Sequence, residues 1–361
     1  MRAAVLREVP GRLVVEELAL DQPGRGEVLV RTAAAGVCHS DLHFMTGAWT
    51  TALPTVLGHE VAGVVEAVGD GVRYVAPGDH VIGCLTPFCG RCEFCLSGRM
   101  ALCRSEDTLR APDAPPRIRT LDGEPVAQFV HLSAFAEQML VHEHALVKID
   151  RDVPLDRAAL VGCAAVTGLG AVFNTARVEP GASVAVIGAG GIGLNCIQGA
   201  RIAGAGSIIA VDVNSSKLEL ALELGATHAV DASAVDPVEA VHELTAGGVH
   251  HAFEAVGAKL AAEQAFAMLR RGGTATIVGM LPQGVKIELA GTDFIDEKRI
   301  QGSNMGSNRF RTDMPRYLGF YADGRLELDR LISRRVTLDE IGEAFTALER
   351  GETTRSVVVF D

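Results

Sequence analysis

The chain has 361 residues, 48% of them hydrophobic, which is enough apolar material for at least one large core and favours two domains. Its formal net charge is −12 and no basic run exceeds two residues, which argues against a nucleic-acid-binding or anionic-membrane surface. Arg7, Glu8 and Arg12 interrupt the only apolar stretch at the N-terminus, so it lacks the core of a secretory signal and we expect a cytoplasmic protein.

The first 150 residues consist of short apolar runs broken by glycine and proline, the pattern of a mostly antiparallel β domain. Two stretches in this region carry metal-ligand side chains: GVCHSDLH, which ends at His43, and GHEVAG, which begins at Gly58. His59 and Glu60 do not begin a zinc-protease helix motif, because the residue four positions after His59 is Gly63 rather than histidine. Spacing alone does not join the two stretches.

Four cysteines fall within fifteen residues, in the segment CGRCEFCLSGRMALC, and they are Cys89, Cys92, Cys95 and Cys103. Two disulfides would require an oxidising compartment. An iron–sulfur cluster of the ferredoxin type would need its fourth cysteine after three residues and then a proline, whereas here seven residues intervene and Arg104 follows. The favoured interpretation is a closed zinc site with four thiolates, which holds a loop together and leaves no position for substrate.

After about Asp150 the pattern changes to strand-like runs that alternate with alanine-rich helical stretches. This alternation predicts right-handed βαβ units and a doubly wound parallel sheet. Ser215 or Ser216 is expected to cap the helix whose body is KLELALEL.

The run VAVI is followed directly by GAGGIG, so that Gly188, Gly190 and Gly193 form the G-x-G-x-x-G turn of a dinucleotide-binding unit. The helix that begins here presents free N–H groups and its positive end to phosphates. Asp212 ends the next apolar run, where its carboxylate can bond to the adenosine ribose and would repel a 2′-phosphate. The pattern therefore favours NAD(H) over NADP(H).

Together, GVCHSDLH, GHEVAGVVEAVG, the cysteine-rich loop, LVGCAAVTG, GAGGIG with Asp212 and TRSVVVF resemble the motifs of the zinc-dependent medium-chain alcohol dehydrogenases. They occur in that family's order and spacing over essentially the whole chain. The resemblance implies an α/β protein with a mostly-β, GroES-like catalytic domain at residues 1–163 and 305–361. It also implies a Rossmann domain with a doubly wound parallel sheet, which binds NAD, at residues 164–304.

The resemblance implies a second, catalytic zinc bound by Cys38, His59 and Cys163, with an open fourth position for water or substrate oxygen. The expected cofactors are therefore two zinc ions per chain and NAD(H). The activity implied is that of an alcohol dehydrogenase, which forms a zinc alkoxide and transfers hydride from its carbon to the nicotinamide.

Further roles follow from the same resemblance. Ser40 would take the alcohol proton and pass it, through the nicotinamide ribose, to His43 at the surface. Asp41 would orient His59, and Glu60 would lie close behind the metal. His39 and Arg355 would contact the cofactor phosphates, and Lys217 would face the ribose. The full set of implied cofactor contacts is His39, Thr167, Gly188, Gly190, Gly191, Ile192, Gly193, Asp212, Lys217, Val278 and Arg355.

Trp49, Leu85, Phe129 and Met280 fall where the family lines its substrate cleft. Apolar walls suit a primary alcohol, aromatic or medium-chain, because polar groups buried without partners are costly. Polyol dehydrogenases of the superfamily usually have glutamate where this chain has Cys163, which disfavours a polyol substrate.

A thiol-adduct-dependent formaldehyde dehydrogenase remains the alternative. Glutathione-dependent members have arginine four residues after the last structural cysteine, whereas this chain has Asp107, although Arg104 and Arg110 are near in sequence. A non-enzymatic NAD-binding protein is a second alternative, and the complete set of catalytic residues argues against it, as it does against a zinc-free quinone reductase. The long segment between Cys103 and Cys163 resembles that of dimeric relatives, so we expect a homodimer that joins edge strands of the cofactor domains.

Overall fold

The computed structural model describes residues 1–104, 106–111 and 113–360. The chain divides into two compact units. The first unit comprises Met1–Cys163, Arg309–Asp323 and Leu328–Asp361, and the second comprises Ala164–Asn308 and Gly324–Glu327.

The described part of the chain contains eighteen strands, which agrees with the many short apolar runs in the sequence. In chain order they are β1 (Arg2–Leu6), β2 (Leu13–Leu20), β3 (Glu27–Val37), β4 (Thr55–Val56), β5 (Glu60–Val68), β6 (His80–Gly83), β7 (Ile118–Thr120), β8 (Pro125–Gln128), β9 (Gln138–His142), β10 (Leu146–Ile149), β11 (Ser183–Ile187), β12 (Ser207–Asp212), β13 (His228–Asp231), β14 (Val249–Glu254), β15 (Leu269–Ile277), β16 (Arg299–Gly302), β17 (Arg334–Val336) and β18 (Ser356–Val359).

The helices are concentrated in the second half of the chain. In chain order they are α1 (His39–Thr46), α2 (Glu93–Leu96), α3 (Leu155–Leu160), α4 (Val166–Gly170), α5 (Gly191–Ala203), α6 (Ser215–Glu223), α7 (Pro237–Thr245), α8 (Lys259–Ala267), α9 (Phe310–Ala322) and α10 (Ile341–Glu349). Asn214 caps α6, because its side-chain oxygen accepts the backbone N–H of Ser216. The expectation that Ser215 or Ser216 is the cap was therefore wrong.

The first unit is built from a small barrel and a larger sheet. Strands β1, β2, β7, β8 and β4 close the barrel, and the sheet has the order β10-β6-β5-β3-β18-β17 with β9 also paired to β3. Strand β3 places Gly36 opposite Glu60 on β5 and Val37 opposite Ser356 on β18. The register thus brings the start of β5 and the C-terminal strand to the end of β3, where α1 begins.

The second unit contains a six-stranded parallel sheet of order β13-β12-β11-β14-β15-β16. The order reverses between β11 and β14, and ligands of such sheets bind beside this point, outside the carboxyl ends of the strands. Val184, Ala185 and Val186 of β11 are fully buried, because helices cover a parallel sheet on both faces. The expected mixed α/β architecture is confirmed.

The helical run Leu155–Ala176 is long and apolar enough to cross a membrane by length and composition. However, 83% of its most apolar window is buried within the protein. A core helix has the same properties, so this run is weak support for a membrane span.

Candidate metal centres and active site

Cys38, His59 and Cys163 come together although they are far apart in sequence. One ligand atom from each lies within 4.8 Å of the others, and all three residues are buried. The Cys163 sulfur is 3.3 Å from Nε2 of His59. Cys38 is the N-cap of α1, and Cys163 lies in the π-helical turn between α3 and α4. The arrangement offers two sulfurs and one nitrogen to one point.

His59 reaches this cluster through a turn that only glycine allows. Gly58 has φ +92°, and a Cβ there would lie 2.7 Å from the backbone nitrogen of Phe135. The N–H of Gly58 donates to Oδ1 of Asp41 at 3.1 Å. The same carboxylate oxygen lies 3.1 Å from Nδ1 of His59, and Asp41 is fully buried. This contact assigns the proton to Nδ1 and leaves the Nε2 lone pair for a metal.

The three side chains influence one another's ionisation. A hydrogen bond from Cys163 and the positive charge of Arg355 lower the pKa of Cys38, although burial opposes this. The same hydrogen bond and burial raise the pKa of Cys163. Burial lowers the pKa of His59, but Asp41 and Cys38 raise it more. A metal ion would compete with protons for these sites, because only the deprotonated groups bind it.

Behind this cluster lies a fully buried ion pair. Nε of Arg355 is 3.1 Å from Oε2 of Glu60, and the side chains are 3% and 0% exposed. Nη1 of Arg355 also donates to the carbonyl of Val37 at 3.3 Å. Burial lowers the pKa of Arg355, but the charges of Glu60 and Cys38 raise it more. Glu60 therefore lies close to the cluster, and Arg355 contacts Glu60 directly.

Ser40 and His43 lie on α1, one turn apart on the same side of the helix. The hydroxyl oxygen of Ser40 accepts from the Cys38 thiol at 3.7 Å, so it is adjacent to the cluster. His43 is half-buried, and burial lowers its pKa while the charge of Cys38 raises it. The effect of burial is the larger, so the pKa of His43 lies below its usual value.

Aromatic side chains pack beside His59. Phe129 is buried, makes an edge-to-face contact with Phe44 at 4.8 Å, and has its ring centroid 6.2 Å from that of His59. The ring centroids of Trp49 and Phe44 are 6.5 Å apart. Leu85 packs against the same core. Phe44 was not identified from the sequence, although it directly follows His43.

The segment after Phe129 is conformationally strained. Val130, His131 and Ser133 all have positive φ, at 41°, 66° and 61°, a region that costs non-glycine residues on the order of 1 kcal/mol or more each. The Ser133 hydroxyl holds this segment: it accepts the N–H of Phe129 and donates to the carbonyl of Val56, each at 2.8 Å. These two hydrogen bonds connect Phe129 to Val56 of β4, and the Phe129 ring lies beside His59.

The cysteine-rich loop forms a second cluster. One sulfur atom of each of Cys89, Cys92, Cys95 and Cys103 lies within 4.8 Å of the others. The backbone N–H of Cys92 donates to the sulfur of Cys89 at 3.3 Å, and that of Cys89 donates to Cys103 at 3.3 Å. N–H donors from Arg91 and Cys92 lower the pKa of Cys89 to about 6. None of the eight cysteines forms a disulfide bond.

The glycine turn of the second unit connects β11 to α5. Gly188 has φ +94°, and a Cβ at Gly193 would overlap the carbonyl oxygen of Gly188. At Gly190, by contrast, a Cβ would meet no described atom within 4 Å, so the backbone is open to a ligand. Asp212 accepts the N–H of Ala189 at 2.7 Å and is therefore tied to this turn. This geometry fits a dinucleotide pyrophosphate at the helix N-terminus.

The other predicted cofactor residues lie at different places in the fold. Lys217 is in the first turn of α6, Val278 follows β15, and Thr167 in α4 donates to the sulfur of Met305 at 3.4 Å. His39 is the first residue of α1 in the first unit.

Comparison with known proteins gives consistent matches. A family model described as "Alcohol dehydrogenase GroES-like domain" matches residues 24–151, and one described as "Zinc-binding dehydrogenase" matches residues 191–322. S-(hydroxymethyl)glutathione dehydrogenase of Paracoccus denitrificans is 38% identical over 99% of both chains. The chain belongs to the zinc-dependent medium-chain alcohol dehydrogenase family.

Two solved structures of this family share the fold. Benzyl alcohol dehydrogenase from Acinetobacter calcoaceticus has a TM-score of 0.92 at 33% identity, with 100% of this chain and 99% of that one covered. A zinc-binding dehydrogenase from Sinorhizobium meliloti, bound to NADP, has a TM-score of 0.83 at 32% identity, with 99% of each chain covered. The protein is therefore an oxidoreductase of the alcohol dehydrogenase type.

As expected for a zinc-dependent alcohol dehydrogenase, the two clusters have donor sets that suit zinc. Sulfur and imidazole are the ligands zinc prefers, and four thiolates close its tetrahedron. The buried set of two sulfurs and one imidazole leaves one coordination position open, as catalytic zinc sites do. The chain therefore carries residues for two zinc ions, one of each type.

Proposed function

We propose that this chain is an NAD-dependent alcohol dehydrogenase that interconverts primary alcohols, including aromatic ones, and aldehydes. The observation that carries the proposal is the buried cluster of Cys38, His59 and Cys163, with the aromatic side chains Phe129, Phe44 and Trp49 packed beside His59. We call these three aromatic side chains the aromatic wall. In this proposal the first unit supplies the catalytic residues, and the second unit, with its glycine turn, supplies the dinucleotide site.

In this proposal Cys38, His59 and Cys163 hold the catalytic zinc, and Cys89, Cys92, Cys95 and Cys103 hold the structural one. The catalytic ion would supply Lewis acidity toward the substrate oxygen. Asp41 fixes the orientation of the His59 ring through the 3.1 Å contact to Nδ1. Glu60 and Arg355 form the buried ion pair behind the ligands. The positive charge of Arg355 stabilises the thiolate form of Cys38.

The proposal assigns proton movement to Ser40 and His43. The hydroxyl of Ser40 lies beside the Cys38 sulfur, where it can accept the proton of the substrate hydroxyl. His43 is half-buried one turn further along α1 and can receive that proton. Because burial lowers the pKa of His43, its neutral form predominates at neutral pH and is free to accept a proton.

The preference for NAD(H) rests on Asp212. Its carboxylate accepts the N–H groups of Ala189 and Asn214, at 2.7 and 2.9 Å, so it is held beside the glycine turn. A fixed negative charge there would repel a ribose 2′-phosphate. The NADP-bound relative makes this preference a point to test. The contacts of His39, Thr167, Gly191, Ile192, Lys217 and Val278 with the cofactor belong to the same proposal, as does a phosphate contact of Arg355.

The aromatic wall supports an aromatic primary alcohol as substrate. Phe129, Phe44 and Trp49 form a continuous aromatic set, and edge-to-face packing of a substrate ring would add about 0.5–1.5 kcal/mol beyond area burial. The benzyl alcohol dehydrogenase among the solved relatives agrees with this substrate class. Leu85 and Met280 are the remaining proposed pocket residues.

The second candidate is a dehydrogenase of thiol adducts, which the Paracoccus relative favours. Two arginines near the last cysteine of the loop are bound to carboxylates of this chain, whereas Arg104 is exposed. Arg110 donates to Asp21 at 2.6 Å and to Glu27 at 2.9 and 2.6 Å, and its side chain is 18% exposed. Arg91 pairs with Asp107 at 2.5 Å. Both arginines are therefore already bound to carboxylates, which supports a simple alcohol.

We propose that the protein is a cytoplasmic homodimer that pairs the β16 strands of two chains. Strand β16 lies at the edge of the parallel sheet, and nearby Phe294 and Ile295 are 49% and 84% exposed. An exposed edge strand beside apolar side chains is a ready pairing surface. Sedimentation equilibrium should give twice the chain mass, and a stable tetramer would contradict this arrangement.

The experiment that tests the proposed function is a spectrophotometric panel of alcohols and aldehydes with NAD(H) and NADP(H), with and without glutathione. We expect turnover of benzyl alcohol with NAD+ that glutathione does not change. Activity only with formaldehyde plus glutathione would favour the second candidate. An absence of turnover in zinc-loaded protein would contradict both.

A further inference from the structure

Glu254 is a buried acid that the proposed mechanism does not use. It is the last residue of β14, its side chain is fully buried, and burial raises the pKa of its carboxyl even though backbone N–H donors lower it. No cation pairs with it among residues 1–104, 106–111 and 113–360. Burying an acid in this way is costly, so its position requires a compensating interaction.

The compensation is a set of backbone hydrogen bonds to the loop that follows β14. Oε1 of Glu254 accepts the N–H of Val256 at 2.8 Å and that of Gly257 at 2.5 Å. The backbone carbonyl of Glu254 accepts the N–H groups of Val278 and Gly279, at 2.9 and 3.1 Å. One residue therefore joins the loop at 255–258 to the loop at 278–280, which follows β15.

These loops are packed too closely to move independently. A Cβ at Gly279 would overlap the backbone of Gly257 and lie 2.6 Å from Oε2 of Glu254. The loop at 255–258 also touches the glycine turn, because a Cβ at Gly188 would lie 2.7 Å from the side chain of Val256. The loops after β11, β14 and β15 thus meet around Glu254 at the carboxyl edge of the sheet, where such folds bind dinucleotides.

We propose that Glu254 is a positioning residue for the cofactor: its carboxylate and carbonyl hold the loops at 255–258 and 278–280 in the arrangement that the dinucleotide binds. The inference rests on the proposed function, because it is there that Val278 is assigned to the cofactor. Glu254 itself does not touch the cofactor in this account. Its side chain acts through the N–H groups of Val256 and Gly257, with Val256 packed against the glycine turn. The bond from Val278 to its backbone carbonyl does not depend on the side chain.

Two substitutions separate the hydrogen bonds from the shape of the side chain. Glu254→Ala removes the carboxyl oxygen Oε1, so the N–H groups of Val256 and Gly257 lose their hydrogen-bond acceptor. Glu254→Gln keeps an acceptor oxygen and the side-chain volume. However, the amide N–H₂ of the glutamine can take the place of Oε2. Among the described residues, Oε2 of Glu254 has no hydrogen-bond partner, so the N–H₂ group would find none there. Glu288→Gln is the control, because Glu288 is in the same unit with a side chain that is 86% exposed.

The experiment is a fluorescence titration of the zinc-loaded proteins with NADH, together with KM values for NAD+ and for benzyl alcohol. We expect Glu254→Ala to weaken NADH binding about ten-fold, the size of one lost hydrogen bond to a buried acceptor, and Glu254→Gln to weaken it less. The KM for NAD+ should rise in parallel, while the KM for the alcohol at saturating NAD+ stays within about two-fold. Glu288→Gln should match the wild type.

Hydrogen–deuterium exchange without cofactor measures independently how well the backbone N–H groups of these loops are protected. We expect faster exchange confined to the loop at 255–258 in Glu254→Ala, because the carboxyl acceptor of the Val256 and Gly257 N–H groups is lost. The loop at 278–280 keeps its acceptor, which is the backbone carbonyl of residue 254. Equal increases in the KM values for NAD+ and alcohol, with faster exchange throughout the unit, would show a general structural role and overturn the proposal.

Unchanged NADH affinity in a folded Glu254→Ala protein with wild-type zinc content would also overturn the proposal. If Glu254→Ala does not fold, Glu254→Gln decides by the same criteria. A wild-type protein that binds no NADH would instead refute the proposed function, so the two failures are distinguishable.

Discussion

The two cysteine clusters of this chain reach similar donor sets by different routes. The cluster Cys89–Cys103 comes from one loop, is partly exposed, and has backbone N–H groups as the partners of its sulfurs. Cys38, His59 and Cys163 come from three separate segments, are almost fully buried, and have carboxylates and Arg355 behind them. The difference agrees with the proposal that zinc in the loop cluster would stabilise the loop, whereas zinc in the buried cluster would act on substrate.

The largest expected effect is on the loop cluster. Cys92→Ser should remove one zinc ion and unfold the loop, because structural zinc contributes on the order of 10 kcal/mol to folding. Zinc quantification and thermal melting check this result. Cys84→Ser is the control: the Cys84 sulfur is 3.2 Å from the Thr86 hydroxyl and belongs to neither cluster, so zinc content should not change. A Cys92→Ser protein with full zinc content and an unchanged melting curve would contradict the assignment.

A substitution in the buried cluster should abolish activity but leave the fold intact. Cys163→Ser should keep the overall fold and the loop zinc but reduce kcat/KM for benzyl alcohol at least about a thousand-fold, because a Lewis-acidic ion contributes several kcal/mol to the transition state. Circular dichroism and initial-rate kinetics check both parts. Retained activity with a normal spectrum would refute the catalytic role of Cys163.

A third prediction concerns the charges that hold the segment after the loop cluster. Glu27 is 3% exposed and accepts hydrogen bonds from Arg110 and Arg117. Burial raises the pKa of Glu27, but those two arginines lower it, from 4.5 to about 2. A lowered pKa means that the stabilisation is complete above pH 4.5 and is lost as the pH falls toward 2.

Glu27→Gln should therefore lower the free energy of unfolding by about 3 kcal/mol at pH 7, and the difference from wild type should shrink below about pH 4. Urea unfolding at several pH values measures it. Glu124→Gln, an exposed site in the same unit, is the control and should change little. A difference that is the same at pH 7 and pH 3 would exclude ionisation of Glu27 as the cause.

The smallest expected effect concerns the wall beside the buried cluster. Ser133→Ala removes the hydroxyl that holds Phe129 and Val56, so the strained segment should relax and loosen the wall. We expect kcat/KM for benzyl alcohol relative to ethanol to fall about five- to ten-fold, the effect of leaving a buried donor unpaired. Ser233→Ala, which is exposed and in the other unit, should leave the ratio unchanged. An unchanged ratio in Ser133→Ala would show that the wall does not need this hydroxyl.

The sequence predicted these features to different degrees. Strand β11 matches the apolar run from Ser183 to Ile187, and the parallel sheet follows from the alternation of strands and helices. The loop cluster was predictable from spacing, because its ligands are close in sequence. The convergence of Cys38, His59 and Cys163 depends on the register of distant strands, so only the family resemblance suggested it.

The positive φ values and the position of Phe44 were not predictable, because residue type alone does not determine these conformations. Val130 and Ser133 adopt positive φ without being glycine, and Phe44 joins the wall only when α1 packs beside Phe129. The cap of α6 was misassigned because Asn214, Ser215 and Ser216 all have good capping side chains. Their order along the backbone decided which one caps.

The zinc content of fully active wild-type protein shows whether a buried, catalytic zinc exists in addition to the zinc of the loop. It can be measured by mass spectrometry after exhaustive dialysis. We expect two zinc ions per chain, one for each cluster. One zinc ion per chain in fully active protein would exclude the buried catalytic zinc.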